Sequence, residues 1–218
     1  MSGALQAVFQ NQRSFKPPPP GAIGTAYEGG FYAGEISTTA NSVATHYLIV
    51  APVSSGENAS KNWKNVNTAT PGADSVIDGP QNTADMVADG NATVYPAAHF
   101  CNDASIGGFT DWYMPAKNEL EICYYNLKPT TTVNTTGSGT NTNAVPSRGS
   151  NYTTGTPAQT SAADFKDTGA EDFAADSYWS SIQYVGTNAW LQTFANGFQD
   201  DRPKDDSARV RCVRRVAI

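Results

Sequence analysis

The chain has 218 residues, enough for one sizeable domain with an appendage or for two small domains, and a core of that size needs no metal or disulfide to hold it. A net charge of -6 and a pI near 4.8 set its overall field against nucleic acid and anionic membrane, and no apolar run approaches membrane-spanning length. Only 16% of residues are charged, while Thr, Asn, Ser and Gly fill much of the remainder, which favours strands joined by long loops.

In chain order, residues 1–26 read as an arm: a short mixed segment carrying Leu5, Val8, Phe9 and Phe15, then the stiff polyproline run Pro17 to Pro20. Those four apolar side chains are too few to bury one another and are expected to dock on another polypeptide. Residues 27–218 read as the body. Gly29-Gly30-Phe31 to Ile36 and His46 to Pro52 predict a first hairpin across the turn-rich Ser37 to Asn41. Trp63, in a polar stretch, is expected to be a lid over a small core.

Tyr95-Pro96 to Cys101 predicts a short helix opened by Pro96. Pro115 opens a second, with Leu120, Cys123, Tyr124 and Leu127 on its apolar face, Trp112 nearby, and Lys117 and Glu121 pairing on its wet side before Pro129 ends it. Residues from about 130 to 160 hold almost no large apolar side chain and predict a Thr/Asn/Gly-rich surface insertion. Strands return at Tyr178 to Tyr184, Ala189 to Phe194 and Ala208 to Val216, joined by tight turns at Gly186 and Asn196-Gly197. The expected fold class is α+β, with antiparallel strands, two helices and long loops.

Three cysteines, Cys101, Cys123 and Cys212, make an odd count in apolar surroundings, which predicts reduced core thiols. The run Arg209, Arg211, Arg214, Arg215 reads as a solvated strand edge, or as buried Arg held by acidic residues, and no nucleic-acid binding is expected. Four Asn-x-Ser/Thr sequons, at Asn58, Asn91, Asn134 and Asn151, read as chance matches, because no secretory signal precedes them.

No catalytic set emerges. His46 and His99 are the only imidazoles; His99 with Cys101 could supply two metal ligands, but a closed zinc site needs four, so no metal is assigned. The carboxylates Glu119, Glu121, Asp200, Asp201, Asp205 and Asp206 form no hydrolase pattern, and the Asp pairs offer oxygen ligands to calcium only at a spacing that matches no known loop. No cofactor is expected.

The ordered set Gly29-Gly30-Phe31 with Leu48 to Pro52 and Trp63, Gly107-Gly108-Phe109-Thr110-Asp111-Trp112-Tyr113-Met114-Pro115 with Glu119-Leu120, Tyr178-Trp179-Ser180-Ser181, Asn188-Ala189-Trp190, Asn196-Gly197 and Arg209 to Arg214 resembles the bacterial and phage branch of the C-type-lectin-like fold. The likeness spans Tyr27 to Ile218. In that branch such domains resemble tail-fibre tips and the variable proteins of diversity-generating retroelements, whose terminal strands carry the ligand face.

The resemblance implies a ligand face of Gln183, Tyr184, Gln192, Phe198, Asp200, Asp201 and Arg202, with Trp190 in the scaffold. It further implies a non-enzymatic phage virion protein, a tail fibre or tail tip, assembled in the host cytoplasm, that binds a host-surface receptor or glycan. The expected companions are other virion proteins and sister chains, a trimer held by the arm; the alternative is a capsid-decoration or cement protein. The loops of sugar-binding C-type lectins, Glu-Pro-Asn or Gln-Pro-Asp followed by Trp-Asn-Asp, do not occur here. Formylglycine-generating enzymes share the fold but need a pair of thiols near the C-terminus, and Cys212 has no partner in its own strand or turn.

Overall fold

A computed structural model of the protein describes residues 20–218. The arm residues Leu5, Val8, Phe9 and Phe15 lie outside the described residues. The elements are β1 (Ala26–Tyr27), β2 (Gly30–Ile36), β3 (His46–Val50), α1 (Val53–Gly56), β4 (Glu57–Asn62), α2 (Gly79–Asp89), α3 (Pro96–Asn102), α4 (Lys117–Leu127), β5 (Ser177–Val185), β6 (Asn188–Thr193), β7 (Gln199–Pro203), β8 (Ser207–Arg211) and β9 (Val213–Ala217), with one 3-10 turn at Ala163–Phe165. They form two sheets, ordered β1-β2-β3-β9 and β4-β8-β5-β6-β7, in which every pairing is antiparallel except β5 with β8.

Because side chains alternate along a strand, β3 faces both ways: Tyr47 and Ile49 enter one core, Leu48 and Val50 the other. The first core gathers Trp63, Tyr95, Trp112, Trp179 and Val210; the second packs α4 against Tyr178, Phe194 and Phe173. The terminal strand links the sheets, since β8 pairs in one and β9 in the other, with Cys212 at the crossing. Trp63 is a fully buried core residue whose Nε1 donates to the Ser180 carbonyl at 2.8 Å, so it is more than a lid.

The apolar face predicted for α4 is present, with Leu120, Cys123, Tyr124 and Leu127 all buried. Its wet side is not as predicted. Glu121 turns inward, fully buried, to Arg148, to the Asn141 amide and to the Tyr152 hydroxyl at 2.8 Å, so it makes no pair with Lys117. Trp112 packs in the opposite core from α4. Among the described residues there are four helices rather than two: α1 is a single turn, and α2 was missed because it presents Asn82 and Thr83 inward with Met86, leaving no apolar period to read.

The reduced-thiol reading is also overturned. Cys101 on α3 and Cys212 at the strand crossing lie 5.2 Å apart at Cα and form a disulfide, leaving Cys123 as the buried free thiol. An odd count is as compatible with one bridge and one spare thiol as with none.

Candidate functional site

At the start of α4, the Glu119 carboxylate accepts the Ala116 N–H at 2.8 Å and the Tyr113 hydroxyl, and pairs with Arg215 of β9 at 2.7 Å. The Pro115 carbonyl accepts the Ser181 N–H of β5 at 2.8 Å. These bonds fix where the next side chain goes. Lys117 stands over the Trp190 ring of β6, its ammonium 3.6 Å from the ring centroid, and Tyr184 of β5 meets the same indole edge-on at 5.0 Å between centroids.

Trp190 is half-buried beneath them, not sealed in the scaffold as the sequence predicts, whereas Tyr184 is 51% exposed. Burial pushes the Lys117 ammonium below its ordinary value, and no carboxylate lies within ion-pair distance among the described residues. The stack therefore leaves a cation beside aromatic surface with its charge unanswered by the fold.

Strand β7 continues this face. Asp201 stands opposite Trp190 and accepts the Asn188 amide at 2.7 Å; Asp200 is half-buried, Arg202 exposed, and Phe198, in the turn before β7, is 43% exposed. Gly197 in that turn holds φ +77°, and a Cβ there would run into the Tyr124 ring, so the turn that presents Phe198 requires glycine.

Several of the residues expected on the face do not reach it. Gln183 points to the opposite side of β5, where its Oε1 accepts the Thr70 N–H and the Lys204 ammonium, each at 3.0 Å. Gln192 is 1% exposed and donates to the Tyr152 hydroxyl at 3.1 Å. The structure thus brings together Tyr184 and Asp201, and adds Trp190 and Lys117; Asp200 and Arg202, opposite Leu191 and Ala189 on β6, point to the other face of the sheet, and Phe198 lies at the opposite end of β6 from Tyr184. The Lys117 contribution was hidden because the i, i+4 spacing to Glu121 pointed to a local pair.

The arginine run is answered by carboxylates: Arg209 by Glu57 at 2.9 Å and Asp176, Arg211 by Glu171 at 3.0 Å, Arg214 by Asp111 at 2.7 Å and Glu28, Arg215 by Glu119. The buried-Arg reading is the one realised for Arg211 and Arg214. His99 bonds the Gly90 carbonyl at 2.8 Å, and its neighbour Cys101 is spent in the disulfide, so the two do not form a ligand pair. Asp205 accepts from Asn67, and no cluster of His, Cys, Asp and Glu suited to a metal occurs among the described residues. Cys101 does approach Cys212, but both are fully buried, which makes the pair a covalent tie within the core.

The model of the Lcl C-terminal domain matches residues 57–214, from β4 into β9. The chain belongs to the Lcl C-terminal domain family. Its fold is accordingly α+β and C-type-lectin-like, and the matched span contains α4, the insertion and the whole face around Tyr184 and Trp190. Strands β1 to β3 lie before the match, yet they complete this Lcl C-terminal domain by pairing β3 with β9. No curated protein matches it. Among solved structures it is similar to a fimbrial protein from Bacteroides ovatus, at 13% identity and a TM-score of 0.45, over 81% of this chain and 36% of that one. The chain thus spans about a third of the fimbrial protein's length, and a likeness at that level carries no argument.

Proposed function

We propose that this chain is a non-enzymatic surface-recognition module, carried by a phage tail fibre or tail tip, that binds a host-surface receptor or glycan through the face of Tyr184, Trp190, Lys117 and Asp201, with the exposed Phe198 at the far end of β6 as a second contact. One observation carries the reading: the half-buried Trp190 carries the Lys117 ammonium over its ring and the exposed Tyr184 against its edge, a cation without a counter-charge on strands fixed from behind by hydrogen bonds. Aromatic side chains supply contact area at low entropic cost, and a partly desolvated ammonium gains most from a ligand acceptor. The Cys101–Cys212 bridge suits a domain that works outside a reducing cytosol.

Tyr184→Ala and Phe198→Ala should each weaken binding of labelled protein to host cells by at least about tenfold, while leaving the melting temperature within a degree or two. Unchanged cell binding in both variants, with loss of incorporation into the particle, would sink the recognition reading and leave the capsid-decoration role. In the same assay, removal of residues 1–16 should abolish trimer formation and particle attachment; a truncated chain that still assembles overturns the assembly role given to Leu5, Val8, Phe9 and Phe15.

A further inference from the structure

The outer face of α3 builds a cavity at the β4 edge of the five-stranded sheet, opposite β7. Pro96, His99, Phe100 and Asp103 recur at i, i+3, i+4 and i+7 and share that face, while Ala97, Ala98 and Cys101 are buried behind it. With Ser55 of α1 and Lys61 of β4 they line a space of about 410 Å³, within the range of small-ligand sites. The walls are held in place, since Cys101 ties α3 to Cys212 and Trp179 Nε1 donates to the Lys61 carbonyl at 2.9 Å.

Several groups on this lining lack a partner of the right kind. The Lys61 ammonium makes no ion pair or hydrogen bond among the described residues and stands 6.0 Å from the centroid of the half-buried Phe100 ring. The Ser55 hydroxyl is likewise unspent among the described residues. His99 presents the reverse case. Its Nε2 meets the Gly90 carbonyl at 2.8 Å; a carbonyl only accepts, so that nitrogen carries the proton of the neutral ring and Nδ1 is left an acceptor. Nδ1 faces Oδ2 of Asp103 at 3.6 Å, while the Asn102 amide donates to the other Asp103 oxygen at 2.9 Å. Two acceptors therefore confront each other with no donor between them.

Charge and shape select the ligand. A hydroxyl would bring one proton to the gap between His99 and Asp103, whereas a primary ammonium brings three and a charge that the Asp103 carboxylate answers. Lys61 and Ser55 offer a cation and a hydroxyl donor, which suits a carboxylate. The Phe100 ring and Pro96 add apolar surface for a side chain. An ammonium, a carboxylate and an apolar side chain on one carbon make an α-amino acid.

We infer that α3 and β4 form a binding site for one free α-amino acid with an apolar side chain: the ammonium on His99 Nδ1 and Asp103, the carboxylate on Lys61 and Ser55, the side chain against Phe100. The site is separate from the strand face around Trp190 and does not depend on the role given to that face.

Titration of the isotope-labelled full chain, followed by amide shifts in NMR, tests this with L-phenylalanine and L-leucine. Phenethylamine, which lacks the carboxylate, and hydrocinnamate, which lacks the ammonium, serve for comparison. At least one amino acid should give saturable shifts at Ser55, Lys61 and residues 97–104 with a Kd in the millimolar range or tighter, and each analogue should bind at least about tenfold more weakly. Asp103→Asn, which withdraws the charge that faces the ammonium, and Lys61→Met should each weaken binding of the amino acid about tenfold. If Lys61→Met fails to fold, Asp103→Asn decides alone. The assignment is overturned if neither amino acid gives saturable shifts there, if either analogue binds as tightly as phenylalanine, if the shifts centre on Trp190, or if the folded variants keep the wild-type affinity.

Discussion

Lys204 shows how a single residue can organise a site from behind. Its side chain is fully buried, 4.7 Å from the Trp63 ring centroid, and its ammonium donates to the Thr68 and Gly186 carbonyls and to Gln183 at 2.9 to 3.0 Å. One cation thereby ties the segment before α2 to the β5–β6 turn that presents Tyr184. Removing its donors in Lys204→Met should cost roughly 1–3 kcal/mol in urea denaturation at neutral pH, because buried acceptors are left unmatched. Desolvation, then the nearby Lys64 charge, pushes Lys204 from 10.5 down to about 8. Below that value folded and unfolded chains both hold the proton. Between about 8 and 10.5 the unfolded chain retains a proton that the fold has released, so this group's contribution to stability rises with pH across that window. The rise should flatten in Lys204→Met; parallel pH profiles for the two proteins would refute the assignment.

At the scale of elements, the insertion is held by polar contacts where a larger apolar loop would be held by packing. The Lys128 ammonium gathers the Thr132 carbonyl, the Asn134 side chain at 2.7 Å and the Pro157 carbonyl, while Asn143 reaches the Ser37 carbonyl at 2.8 Å. Glu121 is the other anchor, its carboxyl raised by burial and opposed by the Arg148 charge. Glu121→Gln leaves Arg148 with an uncompensated, largely buried charge and should destabilise the protein by about 3–5 kcal/mol, with faster amide exchange across 134–153 than in α3; equal protection in both proteins would show that the pair does not hold the insertion. This also explains what the sequence let one read. The α4 face was legible because Leu120, Cys123, Tyr124 and Leu127 repeat with helical period, and the strands around Tyr178 to Phe194 because their alternation is apolar enough to show. Glu121 was not, since a carboxylate in a helix signals a wet face unless its distant partner is known. Trp190 was misplaced for a related reason: its position depends on Lys117, two elements away, and the expected ligand residues Gln183 and Gln192 were spent on contacts that pattern alone does not reveal.

At the scale of the molecule, two apolar cores are coupled through one strand. Trp63, Trp112 and Trp179 all belong, with Tyr47 and Tyr95, to the core behind β3 and β5, whereas the free Cys123 belongs, with Tyr113, Tyr124, Tyr152 and Tyr178, to the core beneath α4. The strand from Ser207 to Ala217 serves both sheets, and the Cys101–Cys212 bridge closes a separation of 111 residues at the crossing. Losing that bridge in Cys101→Ala/Cys212→Ala should therefore cost about 2–5 kcal/mol in denaturant titrations, and a variant as stable as the parent would show the tie to be incidental. Coupling through a shared strand also fixes how the domain unfolds. A domain whose sheets can separate would lose its tryptophan environment and expose the Cys123 thiol at different denaturant concentrations; one whose last strand cannot leave either sheet alone does both together. Tryptophan fluorescence and Cys123 thiol labelling should accordingly give coincident transitions. Leu120→Ala makes the test sharper, because it opens a cavity only in the core beneath α4 and should cost about 2–5 kcal/mol there. It should move the tryptophan transition, reported from the other core, by as much as the thiol one. A thiol transition that shifts alone would mean that the two sheets unfold independently and that the terminal strand does not couple them.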